Sequence, residues 1–229
     1  MSPDRLLLWD LDETLVTTGG AGERSFERAA EEVFGVSISM DDIDYSGRTD
    51  SAIGSLVQQV CGLPEDDESI DRYLASFLHF LPLELPLNKP RVLPGVERLT
   101  SMALESNSHA QGLLTGNLAA GAKIKLQYFG LWERFPFGAF SDDSSQREKL
   151  GPVAMKRASA AYNKTFTAEN TVVIGDTLRD VSCAHAFGAR CLAVASGSHS
   201  VEQLRSAGAD CVVESLEDGV AVDFIGIDF

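Results

Sequence analysis

Cysteine is scarce in this 229-residue sequence: Cys61, Cys183, Cys191 and Cys211 are the four present, with no Cys-x-x-Cys pair among them. That excludes a disulfide framework or a thiolate metal cage as the organising device and leaves buried, reduced thiols, as expected in a cytoplasm. Positive charge is short as well, with 19 Lys and Arg against 34 Asp and Glu and a formal net charge of −15. Such a balance repels nucleic-acid backbones and anionic lipid, so neither is the expected partner, although a small anion can still bind at a locally positive site. Long apolar runs are missing too. None approaches the ~18 residues of a membrane span, and the N-terminal run stops at Asp10. With a cytoplasmic location expected, the lone Asn163-Lys164-Thr165 sequon carries no functional meaning.

What remains is an ordinary globular composition, 44% hydrophobic and 23% charged, without internal repeats or low-complexity segments. Leu6 to Trp9 is a short apolar run of the kind that forms a parallel strand buried on both faces. After Gly19, Gly20 and Gly22 the spacing of Phe26, Ala29, Ala30, Val33 and Phe34 predicts a helix, with Gly35 as its stop. Two further helical patterns run through Ile53 to Val60 and Ile70 to Leu81. Pro82, Pro86, Pro90 and Pro94 then punctuate a segment read as a linker that cannot be a continuous helix. From Gly95 the pattern alternates. Strand-like runs fall at 112–114, 171–174, 190–195 and 210–213, and helical segments at 95–105, 117–129, 152–162, 178–187 and 200–207. Alternation of this kind implies βαβ crossovers and a parallel sheet. The predicted fold is α/β: a doubly wound, Rossmann-like parallel-sheet core made from residues 1–18 and 92–229, interrupted by an all-helical cap over 19–91 with flanking hinges.

Asp10 and Asp12 lie two positions apart at the carboxyl end of the first strand, where alternate side chains share a face and where open α/β sheets place their ligand crevice. Thr115-Gly116-Asn117 puts a hydroxyl and a glycine at the end of a second strand, either as an anion cradle or as the N-cap of the next helix. Gly175-Asp176-Thr177-Leu178-Arg179-Asp180 adds two more carboxylates after a third strand. Acidic side chains gathered this way repel one another unless a hard cation sits among them, and magnesium is the expected occupant. Lys149, ahead of a helix that starts near Gly151-Pro152, is a further candidate cation, although alone it reads as a surface lysine.

The ordered set Asp10-x-Asp12-x-Thr14, Thr115-Gly116-Asn117, Lys149 and Gly175-Asp176-Thr177-x-x-Asp180 resembles the four motifs of the haloacid dehalogenase (HAD) superfamily, across essentially the whole chain. Within it the chain looks most like the phosphoglycolate-phosphatase-like hydrolases with a small helical cap, and Gly47-Arg48-Thr49-Asp50 is similar to a cap string of such proteins. The resemblance implies a magnesium-dependent phosphatase acting on a small phosphorylated metabolite. Asp10 would be nucleophile and metal ligand and Asp12 the general acid and base. The Asp12 carbonyl and Asp176 would complete the metal ligands, Asp180 would orient them, and Thr115, Lys149, Gly116, Asn117 and Arg48 would contact substrate. The third motif is often Lys-Pro; here Leu150 and Gly151 intervene, so Arg147 is an alternative to Lys149. A sugar phosphomutase or a catalytically silent binding protein on the same fold are the competing readings.

Overall fold

The computed structural model describes residues 3–64 and 66–227. Six parallel strands form its sheet: β1 (Arg5–Trp9), β4 (His109–Leu114), β5 (Gly138–Ala139), β6 (Thr171–Gly175), β7 (Arg190–Val194) and β8 (Cys211–Val213), in the order β5-β4-β1-β6-β7-β8. β1 sits near the centre, and its apolar run is continuous because both of its faces are covered. Leu7 and Trp9 enter one core cluster with Val96, Leu99, Leu126 and Ile225, while Leu6 and Leu8 enter the other with Ala154, Val181 and Leu204. The first cluster is closed by α4 (Val96–Glu105), α5 (Ala119–Tyr128) and α9 (Gly219–Ile225), the second by α6 (Leu150–Tyr162), α7 (Leu178–Ala186) and α8 (Val201–Ser206). The chain builds outward from β1 to β4 and β5 and then crosses to β6 on the other side. The turning point, where a crevice opens beyond the strand ends, therefore lies at β1.

The chain leaves this core after β2 (Val16–Thr17) and returns at β3 (Arg91–Val92). These two short strands pair antiparallel, a ribbon too short to be read from sequence. Between them α1 (Ala21–Phe34), α2 (Asp50–Val60) and α3 (Asp67–Glu84) pack around their own core, in which the Phe26 and Phe77 rings stack with centroids 3.9 Å apart. The break expected at Pro82 does not occur there: α3 runs through it to Glu84. Pro82 lies in the last turn, where only one carbonyl loses its donor. Burial of Leu81 and Leu85, and the ion pairs of Glu84 with Arg24 and Arg28 at 2.7 Å each, hold the turn in place. The four cysteines are free thiols, and among the described residues no helix is long and apolar enough to cross a membrane.

Candidate active site

Three adjacent strands deliver three groups to one point. Asp10 follows β1 directly and its amide donates to the Ile174 carbonyl at 2.8 Å; Thr115 follows β4, its amide bonded to the Ala139 carbonyl at 3.1 Å; Asp176 follows Gly175 at the end of β6. Asp10, Thr115 and Asp176 are all buried. Asp176 is steadied by Thr14, whose hydroxyl donates to it at 3.2 Å. Asp180 sits in the first turn of α7 in a capping box with Thr177. Its Oδ2 accepts from the Thr177 amide at 2.9 Å and from the Thr177 hydroxyl at 2.7 Å. Gly175 is required beneath it, because a Cβ there would overlap the Asp180 carboxylate.

Carboxylate oxygens of Asp10, Asp176 and Asp180 lie within 4.8 Å of one another. Burial pushes the Asp10 carboxyl up to about 6 against the pull of Arg147, with Asp180 and Asp12 adding to the rise. Asp176 is raised well above the usual carboxylate range by burial, then by Asp180 and Asp10. Three buried acids face one buried guanidinium, and an all-oxygen donor set left with excess negative charge suits a hard divalent cation such as magnesium. Both Asp180 oxygens are already engaged, so Asp10 and Asp176 are the side chains placed to hold an ion.

That guanidinium belongs to Arg147. Its Nη2 meets Asp10 at 2.9 Å and also pairs with Asp180, and Nη1 donates to the Gly47 carbonyl at 2.9 Å. Nε has no acceptor among the described residues. Burial works against the charge, but Asp10 and Asp180 hold its pKa above the ordinary arginine value. Lys149, the cation expected here, is exposed and lies outside the cavity that Arg147 lines. Residues 147–149 form a single 3-10 turn, whose period of three turns Arg147 and Leu150 inward and Glu148 and Lys149 outward.

Asp12 is held from the other side by Lys125, whose ammonium meets its two oxygens at 2.8 and 2.6 Å, and by Asn117, whose amide donates at 2.9 Å. Lys125 also donates to the Asn117 carbonyl oxygen at 2.7 Å. Burial opposes the charge on Lys125, and Asp12 and Asp50 overcome it. Lys125 was not among the residues expected from sequence, yet its signal is present. In α5 the buried positions are Gly121, Ala122, Lys125 and Leu126, so this lysine falls on the apolar stripe while Lys123 falls off it. A lysine on such a stripe requires an acid partner. Arg48 lines the cavity but commits Nε and Nη2 to the Asp44 carbonyl and carboxylate at 2.5 and 2.8 Å.

The cavity, of about 210 Å³, is roofed by the helical unit. Residues 47–51 of that roof are tied to several core loops. Besides the Arg147 bond to Gly47, Thr49 donates to the Ser145 carbonyl at 2.8 Å, and the Asp50 amide to the Gly116 carbonyl at 2.7 Å. The Ser51 amide donates to the Ser141 hydroxyl at 2.9 Å, and the Asp50 carboxylate accepts from the Leu118 amide at 2.7 Å. Gly116 runs so close beneath the roof that a Cβ would overlap the Arg48 carbonyl oxygen. Gly116→Ala is expected to lower kcat/KM at least about tenfold by displacing the Thr115 loop by part of an ångström, at a stability cost of about 1–3 kcal/mol. Steady-state kinetics and thermal melts of that variant test this, and unchanged kinetics would show the contact to be slack.

A family model described as HAD-hydrolase-like matches residues 146–219, the stretch that carries Arg147, β6, Asp176 and Asp180. Over that stretch the chain is similar to the HAD-like hydrolases. A curated relative, the probable phosphatase IndB of Dickeya dadantii (strain 3937), is 26% identical over 224 residues, which cover 94% of this chain and 91% of the relative. Among solved structures, a hydrolase from Pseudomonas syringae superposes with a TM-score of 0.75 at 21% identity, covering 97% of this chain and 99% of the other. A predicted phosphatase from Clostridium acetobutylicum gives 0.73 at 20%, covering 98% and 100%. Their likeness is one of fold, a parallel α/β sheet whose strand ends here carry Asp10, Thr115 and Asp176.

Proposed function

We propose that the protein is a magnesium-dependent phosphatase that hydrolyses a small phosphorylated metabolite through an aspartyl-phosphate on Asp10. The observation that carries this reading is the division of labour around two aspartates: Asp10 among buried acids and Arg147, Asp12 apart from it on a mount of Lys125 and Asn117. Asp10 attacks phosphorus, and an Asp10 oxygen–phosphorus bond forms as the bond to the leaving oxygen breaks. Asp12 gives its proton to that oxygen, then takes one from the water that attacks the acyl phosphate, releasing inorganic phosphate and restoring Asp10. Lys125 and Asn117 hold the Asp12 carboxylate at one angle for both transfers. Thr115, the Gly116 backbone and Arg147 bind the phosphoryl oxygens. Asp10, Asp176 and the Asp12 carbonyl would hold magnesium, which supplies charge neutralisation when bound.

A mutase reading is disfavoured by position 175, because mutases that this chain resembles tend to carry a second acid there and Gly175 leaves no room for one beside Asp180.

Purified protein should release phosphate from 4-nitrophenyl phosphate with added magnesium and lose that activity in EDTA; equal turnover in EDTA would exclude the metal. Melting provides a second test. Folded-state values raised above an ordinary 3.8, about 6 for Asp10 and about 7 for Asp50, mean that these buried acids favour folding below pH ~4. That contribution is lost as pH rises through 6 to 7. A cation that neutralises Asp10 and Asp176 restores part of it. Magnesium at a hundredfold excess over its Kd should then raise Tm by about 5–10 °C at pH 7.5, and by much less at pH 5.

A further inference from the structure

Beyond the phosphoryl site the cavity continues along the wall supplied by α1, α2 and the loop between them, where Glu23, Phe26, Tyr45 and Ile53 face the space next to Asp12. The charges of that wall are one-sided. Each cation lining the cavity already has a carboxylate: Arg147 has Asp10 and Asp180, Lys125 has Asp12, and Arg48 has Asp44. Four acids lining it are in no ion pair among the described residues: Asp176 at the phosphoryl end, and Glu13, Glu23 and Asp50. The Tyr45 hydroxyl donates to one oxygen of Glu23 at 2.9 Å, fixing the side chain, and Phe26 and Ile53 offer carbon surface beside it. A Cβ at the neighbouring Gly22 would lie 3.9 Å from the Lys125 ammonium that holds Asp12, so this end of α1 shares the side of the cavity from which a leaving oxygen would be protonated.

We propose that Glu23, held by Tyr45, reads the leaving group, and that the cavity selects phosphate monoesters of uncharged or cationic alcohols rich in hydrogen-bond donors over esters that carry a second anionic group. The inference rests on the phosphatase reading and narrows it. A hydroxyl or ammonium on the departing alcohol finds acceptors in Glu23 and Glu13. A carboxylate at the same place meets two unneutralised acids and no uncommitted cation, a like-charge contact in a half-enclosed space that costs a factor of about ten or more in binding. Phosphoglycolate, the substrate class that the sequence resemblance brings to mind, is therefore a poor fit.

The test compares kcat/KM at saturating magnesium for glycerol 3-phosphate and phosphoethanolamine against 2-phosphoglycolate and 3-phosphoglycerate, with 4-nitrophenyl phosphate as a reference. The neutral and cationic esters should exceed the carboxylated ones at least about tenfold. Glu23→Gln should move the two sets in opposite directions, lowering phosphoethanolamine and raising phosphoglycolate, a crossing that mere loosening of the fold cannot produce. Tyr45→Phe, which keeps the charge, should retain the preference. Phosphoglycolate turned over as fast as glycerol 3-phosphate, or Glu23→Gln scaling every ester alike, would overturn the proposal and leave the phosphatase reading standing. Failure to hydrolyse even the aryl ester would overturn the phosphatase reading and this proposal with it.

Discussion

Asp10→Asn should lower kcat by at least about 10³-fold and, in metal-free protein at pH 7.5, raise Tm by several degrees. The first effect follows from removing the group proposed both to attack phosphorus and to share a cation with Asp176. The second follows from the cost of keeping Asp10 ionised in a buried place. Its pKa, pushed up to about 6, means that at pH 7.5 the folded state carries a charge it disfavours, and asparagine has the same shape without that charge. Arg147 keeps its pairing with Asp180, so the guanidinium is not stranded. At pH 4.5 Asp10 is already protonated and the gain should vanish. The magnesium-induced rise in Tm should shrink in the variant. A variant that melts lower than the parent at pH 7.5 would show that the Asp10–Arg147 pair is worth more than the burial it requires.

Arg147→Met is the second large change. It removes the single cation between Asp10 and Asp180 and leaves two buried carboxylates facing each other, a loss of about 3–5 kcal/mol of stability at neutral pH. On the proposed mechanism it would also remove a guanidinium that binds the phosphoryl oxygens, and kcat/KM should fall by about 10²–10³. Because the missing positive charge pushes the acids further up, the instability should ease as pH falls toward 5. Lys149→Ala, two residues away on the outer side of the same turn, should change kcat/KM by less than about twofold. A reversed pattern in the kinetics of these two variants would return the role to Lys149.

The sheet was legible in the sequence where a strand buried on both faces is almost wholly apolar: β1, β6 and β7 show it as apolar runs, whereas β4, with His109 and Gln111 buried, was found only over 112–114. β5, with two residues, carries too little pattern to be found, and its partner Leu113 gives no hint of it. Asp10, Asp12 and Asp176 could be placed because a carboxylate at the end of an apolar strand has one direction to face. The Arg147 and Lys149 question could not be decided in the same way. Two basic residues two positions apart differ in role only through the local turn, and a 3-10 turn of one repeat has no sequence period to detect. Lys125 was detectable in principle, but a single lysine on an apolar helix face gains meaning only once its acid partner is known to lie opposite. The passage of α3 through Pro82 shows tertiary burial overriding a local breaker.

The bonds from residues 47–51 reach the Gly116 and Leu118 backbone, Ser141, Ser145 and Arg147, and so touch the two loops that carry Thr115 and Arg147, the proposed phosphate-binding groups. Lifting the roof would part Arg147 from Gly47 and release the Thr115 loop in the same movement. On the proposed mechanism, chemical competence would then belong to the shut arrangement alone: a molecule with the roof lifted could admit an ester or discharge phosphate, but would lack the arrangement to transfer a phosphoryl group. The proposed acyl phosphate would be shielded from bulk solvent by the same bonds, since whatever is cleaved would first be enclosed.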